Sequence, residues 1–125
     1  MGKIKRYEEM EVWISARAMV RSIYAISNTP LFSKDYGLRD QIRRASVSIA
    51  SNIAEGSESQ TNAIFCRFLY SARASAAEVR TQLYLALDLT YISRAECKQL
   101  VSQTESICRQ IKGFITYLKK SAHNP

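Results

Sequence analysis

Tyr70, Arg73, Ala77, Arg80 and Tyr84 recur at steps of three, four, three and four, so a helix would carry them on one face. Guanidinium groups pair with phosphates, and tyrosine rings stack on bases, so this stripe could hold a nucleic acid. Tyrosine and arginine are equally favoured where two proteins meet, and spacing alone does not separate these readings. Further cations come in helical pairs: Arg17 with Arg21, Arg39 with Arg43, Arg109 with Lys112, and Lys119 beside Lys120. Arg73, Arg80, Arg109 and Lys112 are the expected backbone contacts, with Tyr70 and Tyr84 as stacking or interface residues.

A second group lies in Gln41–Gly56, where small residues would let helices approach closely. Ser48, Asn52 and Glu55 are its polar members, and buried polar groups must be hydrogen-bonded. Arg43, Arg44 or an arginine from another helix could pair with Glu55. The expected result is a polar network that fixes helix register or a subunit contact.

Reactive chemistry is sparse. The single histidine is His123, and no arginine stands four to six residues before it, the arrangement of small helical ribonucleases. There is no His/Cys cluster for a metal, no Glu-x-x-His pair and no glycine-rich phosphate loop. Cys66, Cys97 and Cys108 form no C-x-x-C pair and read as small buried hydrophobes in a reducing cytosol. No enzyme activity, metal or cofactor is expected.

The formal charge is +7 over 125 residues, with 18 Lys and Arg against 11 Asp and Glu. Residues 1–62 carry nine bases and seven acids, net +2, whereas 63–125 carry nine and four, net +5. A polyanion would therefore draw on the second half. Met1–Arg6 is charged but leads into no apolar run, so neither a signal peptide nor a membrane span is expected, and the location expected is cytoplasmic.

These side chains need elements to hold them. Val12, Ala16, Met19, Val20, Ile23 and Tyr24 predict a helix over about 8–27, stopped by Pro30. Leu38, Ile42, Ala45, Ile49 and Ile53 predict a second over about 37–55, closed by Gly56 in the left-handed conformation. Val47, Ala50 and Ala54 on its other side suggest cover from more than one direction. Thr61 is the expected N-cap of a third helix reaching about Thr90, with Phe65, Phe68, Leu69, Ala72, Ala76, Val79, Leu83, Ala86 and Leu87 as its core stripe. Ser93-Arg94-Ala95-Glu96 reads as a capping box that starts the fourth, whose apolar face runs from Leu100 to Leu118. One all-α domain over 1–125 follows, an antiparallel up-down-up-down four-helix bundle with loose tails at 1–7 and 121–125.

The second helix also carries a resemblance. Arg43-Arg44-Ala45-Ser46-Val47-Ser48-Ile49 followed by Ser51-Asn52-Ile53-Ala54-Glu55-Gly56 resembles the four-helix-bundle family encoded by intervening sequences of bacterial large-subunit ribosomal RNA genes. Met10–Trp13, Ile23-Tyr24, Tyr36–Leu38, Phe68-Leu69, Ala72, Ser75 and Glu78 extend the likeness over about residues 7–118. Ala50 stands where the family pattern has proline, which should straighten the second helix. Arg80 after Glu78 replaces a family carboxylate and makes the stripe more basic. The resemblance implies a homopentameric ring, and kinship with the basic accessory variability proteins of diversity-generating retroelements. Those bind a reverse transcriptase and nucleic acid and have no activity alone. It supplies no catalytic residues.

Overall fold

The computed structural model describes residues 6–121, among which there are four α-helices and no strand. They are α1 (Glu11–Ile26), α2 (Tyr36–Ser57), α3 (Asn62–Asp88) and α4 (Arg94–Ser121), with single 3-10 turns at Tyr7–Glu9 and Phe32–Lys34. Each consecutive pair runs antiparallel. Arg43 near the start of α2 reaches Ser27 at the end of α1, Asn62 at the start of α3 reaches the Leu118 carbonyl late in α4, and Cys97 early in α4 reaches the Leu83 carbonyl late in α3. The result is a four-helix bundle.

Helix starts follow local chemistry. Thr61 accepts from the Ile64 amide at 3.1 Å. The capping box closes as the residues require: Glu96 N donates to Ser93 Oγ at 3.1 Å and Ser93 N donates to Glu96 Oε1 at 2.8 Å. Asp35 caps α2, its Oδ1 accepting from the Leu38 amide at 3.1 Å. The same carboxylate accepts from the Tyr91 hydroxyl at 2.9 Å through Oδ2. Phe32 is fully buried beside it and stacks on Tyr91 with ring centroids 5.2 Å apart. This cluster joins the α1–α2 and α3–α4 reversals at one end of the bundle. The hydrogen bond to Asp35 holds the Tyr91 phenol above its ordinary pKa, and desolvation adds to this.

Packing outweighs propensity in α2. Its serines, asparagine, glycine and β-branched residues each cost roughly 0.5–1 kcal/mol against alanine. Ile42, Ile49 and Ile53 are fully buried, each contributing about 2 kcal/mol by leaving water. Opposite them lie Leu69, Ala72, Ala76, Val79 and Leu83 of α3, also fully buried. Met19 and Ile23 of α1 and Ile107 and Ile111 of α4 complete the centre.

Some expectations need correction. Residues 7–9 form a separate 3-10 turn, so α1 begins at Glu11. It ends at Ile26, before Pro30, where Ser27 Oγ turns back to the Ile23 carbonyl at 2.7 Å and competes with further helix. Gly56 is not a left-handed stop: α2 continues to Ser57 and no glycine has positive φ among the described residues. It is glycine because of space. A Cβ there would lie 2.7 Å from Phe68 Cβ and 2.8 Å from Phe65 Cδ1. The left-handed position belongs to Thr90, φ 63°, where the Tyr91 amide donates back to the Ala86 carbonyl at 2.9 Å and closes α3. Val47 is exposed and Ala50 and Ala54 are half-buried, so the outer side of α2 is only partly covered; Phe68 and Leu87 are half-buried as well. Ser121 is helical rather than tail. His123 and the rest of the C-terminal tail lie outside the described residues.

Candidate functional site

The α3 stripe runs along the edge that faces α4. Tyr70, Arg73 and Tyr84 are exposed and Arg80 is half-buried. Ala74 and Ala77 leave room between the two arginines, and the gap is a shallow depression of about 410 Å³ lined by Tyr70, Arg73, Ala74, Ala77, Arg80 and Cys108. Cys108 comes from α4 and fixes which side of that helix meets the stripe. It is half-buried and borders this depression, so the expectation of three buried cysteines holds only for Cys66 and Cys97. Burial pushes the Cys97 thiol above its ordinary pKa, and Asp88 adds to this.

Lys112 and Lys119 follow Cys108 by four and eleven residues and so share its side of α4. The register is confirmed by Lys119 Nζ, which donates to Tyr70 Oη at 2.9 Å. That contact raises the Lys119 pKa above its ordinary value. Arg109 is exposed one step round the helix, turned toward solvent rather than into the groove. Arg73, Arg80, Arg109 and Lys112 enter no ion pair among the described residues, where the pairs are Arg6–Glu8 and Arg39–Asp40. Asp88 follows Tyr84 by four residues and so shares the Tyr84 end of the stripe, while Glu105 precedes Cys108 by three on α4.

The small-residue segment is a separate place, on the α2–α3 side. Asn52 Nδ2 donates to the Ser48 carbonyl at 2.9 Å and to Ser48 Oγ at 3.0 Å, and Ser75 Oγ of α3 donates to Ser48 Oγ at 2.9 Å. Glu55 is outside this network, exposed and without an ion pair among the described residues. The expected pairing with Arg43 or Arg44 fails for reasons of length. Those residues lie twelve and eleven positions before it, about 16–18 Å along a helix. Arg43 instead donates from Nε to Ser27 Oγ at 2.8 Å and lies over the Tyr24 ring, 4.6 Å from its centroid. Arg44 is exposed and borders a second shallow depression with Tyr24, Asp40, Arg43 and Val47.

Sequence reasoning missed Lys119 as a member of the groove. Its signal was the seven-residue interval from Lys112, which returns to the same side of a helix. Among the described residues no three His, Cys, Asp or Glu side chains converge in a way that could hold a metal ion. No described helix is long and apolar enough to cross a membrane.

The family model of the 23S rRNA-intervening sequence protein matches residues 8–113. This chain belongs to that family. Among solved structures, it is similar to the crystal structure of a protein of unknown function from the S23 ribosomal protein family of Bacteroides thetaiotaomicron VPI-5482. The TM-score is 0.77 at 24% identity, covering 83% of this chain and 97% of the other. At that identity the likeness concerns the fold. No curated protein is similar enough to count as a relative. As a 23S rRNA-intervening sequence protein, the chain has a family and a fold, and its activity has to be argued from its own surface.

Proposed function

We propose that this protein is a non-catalytic, basic accessory factor of the cytoplasm that binds nucleic acid through the α3–α4 groove. The carrying observation is that Arg73 and Arg80 border one groove, with Lys112 on the Cys108 side of α4 by helix spacing, and that no carboxylate pairs any of the three among the described residues. An unpaired row of cations costs self-repulsion, which a polyanion relieves. Assembly into a homopentameric ring would raise the formal charge of +7 per chain to about +35. Support of a reverse transcriptase on structured RNA or its cDNA is the role that fits such a ring. Arg109, on the solvent side of α4, would add to the field rather than to the groove.

A gel-shift titration over a salt series tests this. Binding to mixed-sequence RNA at low salt, with affinity falling linearly on a log–log plot against salt, is the expected result. Absence of binding to any nucleic acid at low salt removes the reading. Light scattering gives the assembly number.

One observation favours a second reading, a protein-interaction module that docks a polymerase without touching nucleic acid. Tyr84, Leu85 and Leu89 cluster at the end of α3 and are 50%, 46% and 50% exposed. That reading requires a complex with the polymerase that survives nuclease treatment and is lost in Leu85→Ser/Leu89→Ser.

A further inference from the structure

Tyr70 does more in the groove than offer a ring. Its hydroxyl accepts from Lys119 Nζ of α4 at 2.9 Å. On its own helix, the Arg73 guanidinium lies over the ring 5.2 Å from the centroid, and Lys119 Nζ is 5.5 Å from the same point. One phenol therefore gathers cations from two helices. An arginine laid on an aromatic ring stays extended, and the N–H donors along its edge remain free for an anion.

The same arrangement recurs. Arg17 lies over Trp13 at 5.5 Å, Arg39 over Tyr36 at 4.9 Å and Arg43 over Tyr24 at 4.6 Å. With Tyr70, four aromatic rings thus hold an arginine among the described residues. The guanidinium takes one face of each such ring and leaves an incoming base at most the other, whereas single-strand binders offer successive open rings on which bases can stack. Along the groove only Tyr84 has no cation over its ring among the described residues. Two of the groove's cations, in contrast, are held in place, Arg73 on the Tyr70 ring and Lys119 on its hydroxyl. Arg80 follows Arg73, and Lys119 follows Lys112, by seven residues, so each pair spans about 10 Å on helices packed about 8–10 Å apart.

We infer that Tyr70, Arg73 and Lys119 form a clamp for backbone phosphates of a double-stranded nucleic acid, with Tyr70 as a positioning residue and not a stacking platform. This deepens the nucleic-acid reading above and rests on it. Arg80 and Lys112 supply a second point of contact further along the groove. Asp88, at the Tyr84 end of the stripe, gives the bound backbone a preferred side.

The experiment titrates the full chain, Y70F, Y70A, K119A, Y70F/K119A and Y84A with three probes over a salt series. The probes are a mixed-sequence RNA duplex, oligouridylate with the same number of phosphates, and inorganic polyphosphate, which has no bases. The expected results are duplex bound at least about threefold tighter than oligouridylate, and polyphosphate competing with duplex. Y70F and Y70A should both weaken duplex binding about threefold to tenfold through lost preorganisation, with the salt slope retained. K119A should weaken it and lower the slope by about one, Y70F/K119A should be no weaker than K119A, and Y84A should match the parent. Tyr70 is 39% exposed, so these changes leave the core intact. Oligouridylate bound tighter than duplex, or Y70F equal to the parent while Y70A is weak, overturns the clamp and leaves nucleic-acid binding standing. Failure of the parent chain to bind any probe removes both.

Discussion

Where α3 meets α2 beside the apolar core, Ser75 meets Ser48 and Gly56 meets Phe65 and Phe68, so closely that no Cβ fits at Gly56. Where the same helix faces the outer edge of α4, arginine, lysine and tyrosine stand along an open depression bordered by Ala74 and Ala77. Both flanks are polar, yet their polarity acts differently. The hydroxyls of Ser48 and Ser75 are consumed by each other, and Asn52 by Ser48. The guanidinium groups of Arg73 and Arg80 are consumed by nothing anionic among the described residues. Short polar side chains satisfied within the fold fix geometry; long charged ones left unsatisfied are available for a partner.

Substitutions on the two flanks should therefore fail in opposite ways. Gly56→Ala must push two phenylalanines aside and should cost about 1–3 kcal/mol, read as a lower urea midpoint at an unchanged slope. Wild-type stability in that variant would show the close approach to be slack. On the other flank, Arg73→Ala with Arg80→Ala should reduce RNA affinity tenfold or more at low salt and cut the salt slope by about two. Thermal stability should stay within about 0.5 kcal/mol of the parent. A large loss of stability there would mean that the arginines belong to the fold. Ser75→Ala should cost about 1 kcal/mol, because it leaves Ser48 with one partner fewer, and should not change the salt slope of binding. Thr90→Gly, outside both flanks, should stabilise by up to about 1 kcal/mol by relieving the left-handed threonine.

The smallest effect expected is a pH signature. Tyr91 has a raised pKa in the fold because its proton is donated to Asp35. Its contribution is complete below the unfolded phenol pKa of about 10 and disappears as pH rises through the higher folded value. Denaturation midpoints above pH 10 should fall more steeply in the parent than in Tyr91→Phe. Parallel curves would show that the hydrogen bond is not maintained in solution.

Much of this architecture is legible in the residues, because helical period and capping are local. The Ser93–Glu96 box and the Thr61 cap form as their spacing requires, and the α3 stripe shares a face as read. What escaped depends on contacts between distant segments. Gly56 at a helix end looks like a left-handed stop, and only the approach of Phe65 and Phe68 reveals that it makes room. Phe32 sits in a short turn that no period marks, and its burial is set by Tyr91. Lys119 is visible as one of two adjacent lysines, but its place beside Tyr70 follows from the register of α3 on α4. Single-helix periodicity gives faces; it does not give alignment between helices.

The contact between Asp35 and Tyr91 carries a consequence for synthesis. The cap that starts α2 and the phenol that secures it are 56 positions apart. As the chain leaves the ribosome, the first reversal is made long before its fastener arrives. A nascent chain stalled ahead of Tyr91 should therefore open its first hairpin readily to protease, and one stalled well beyond α4 should resist.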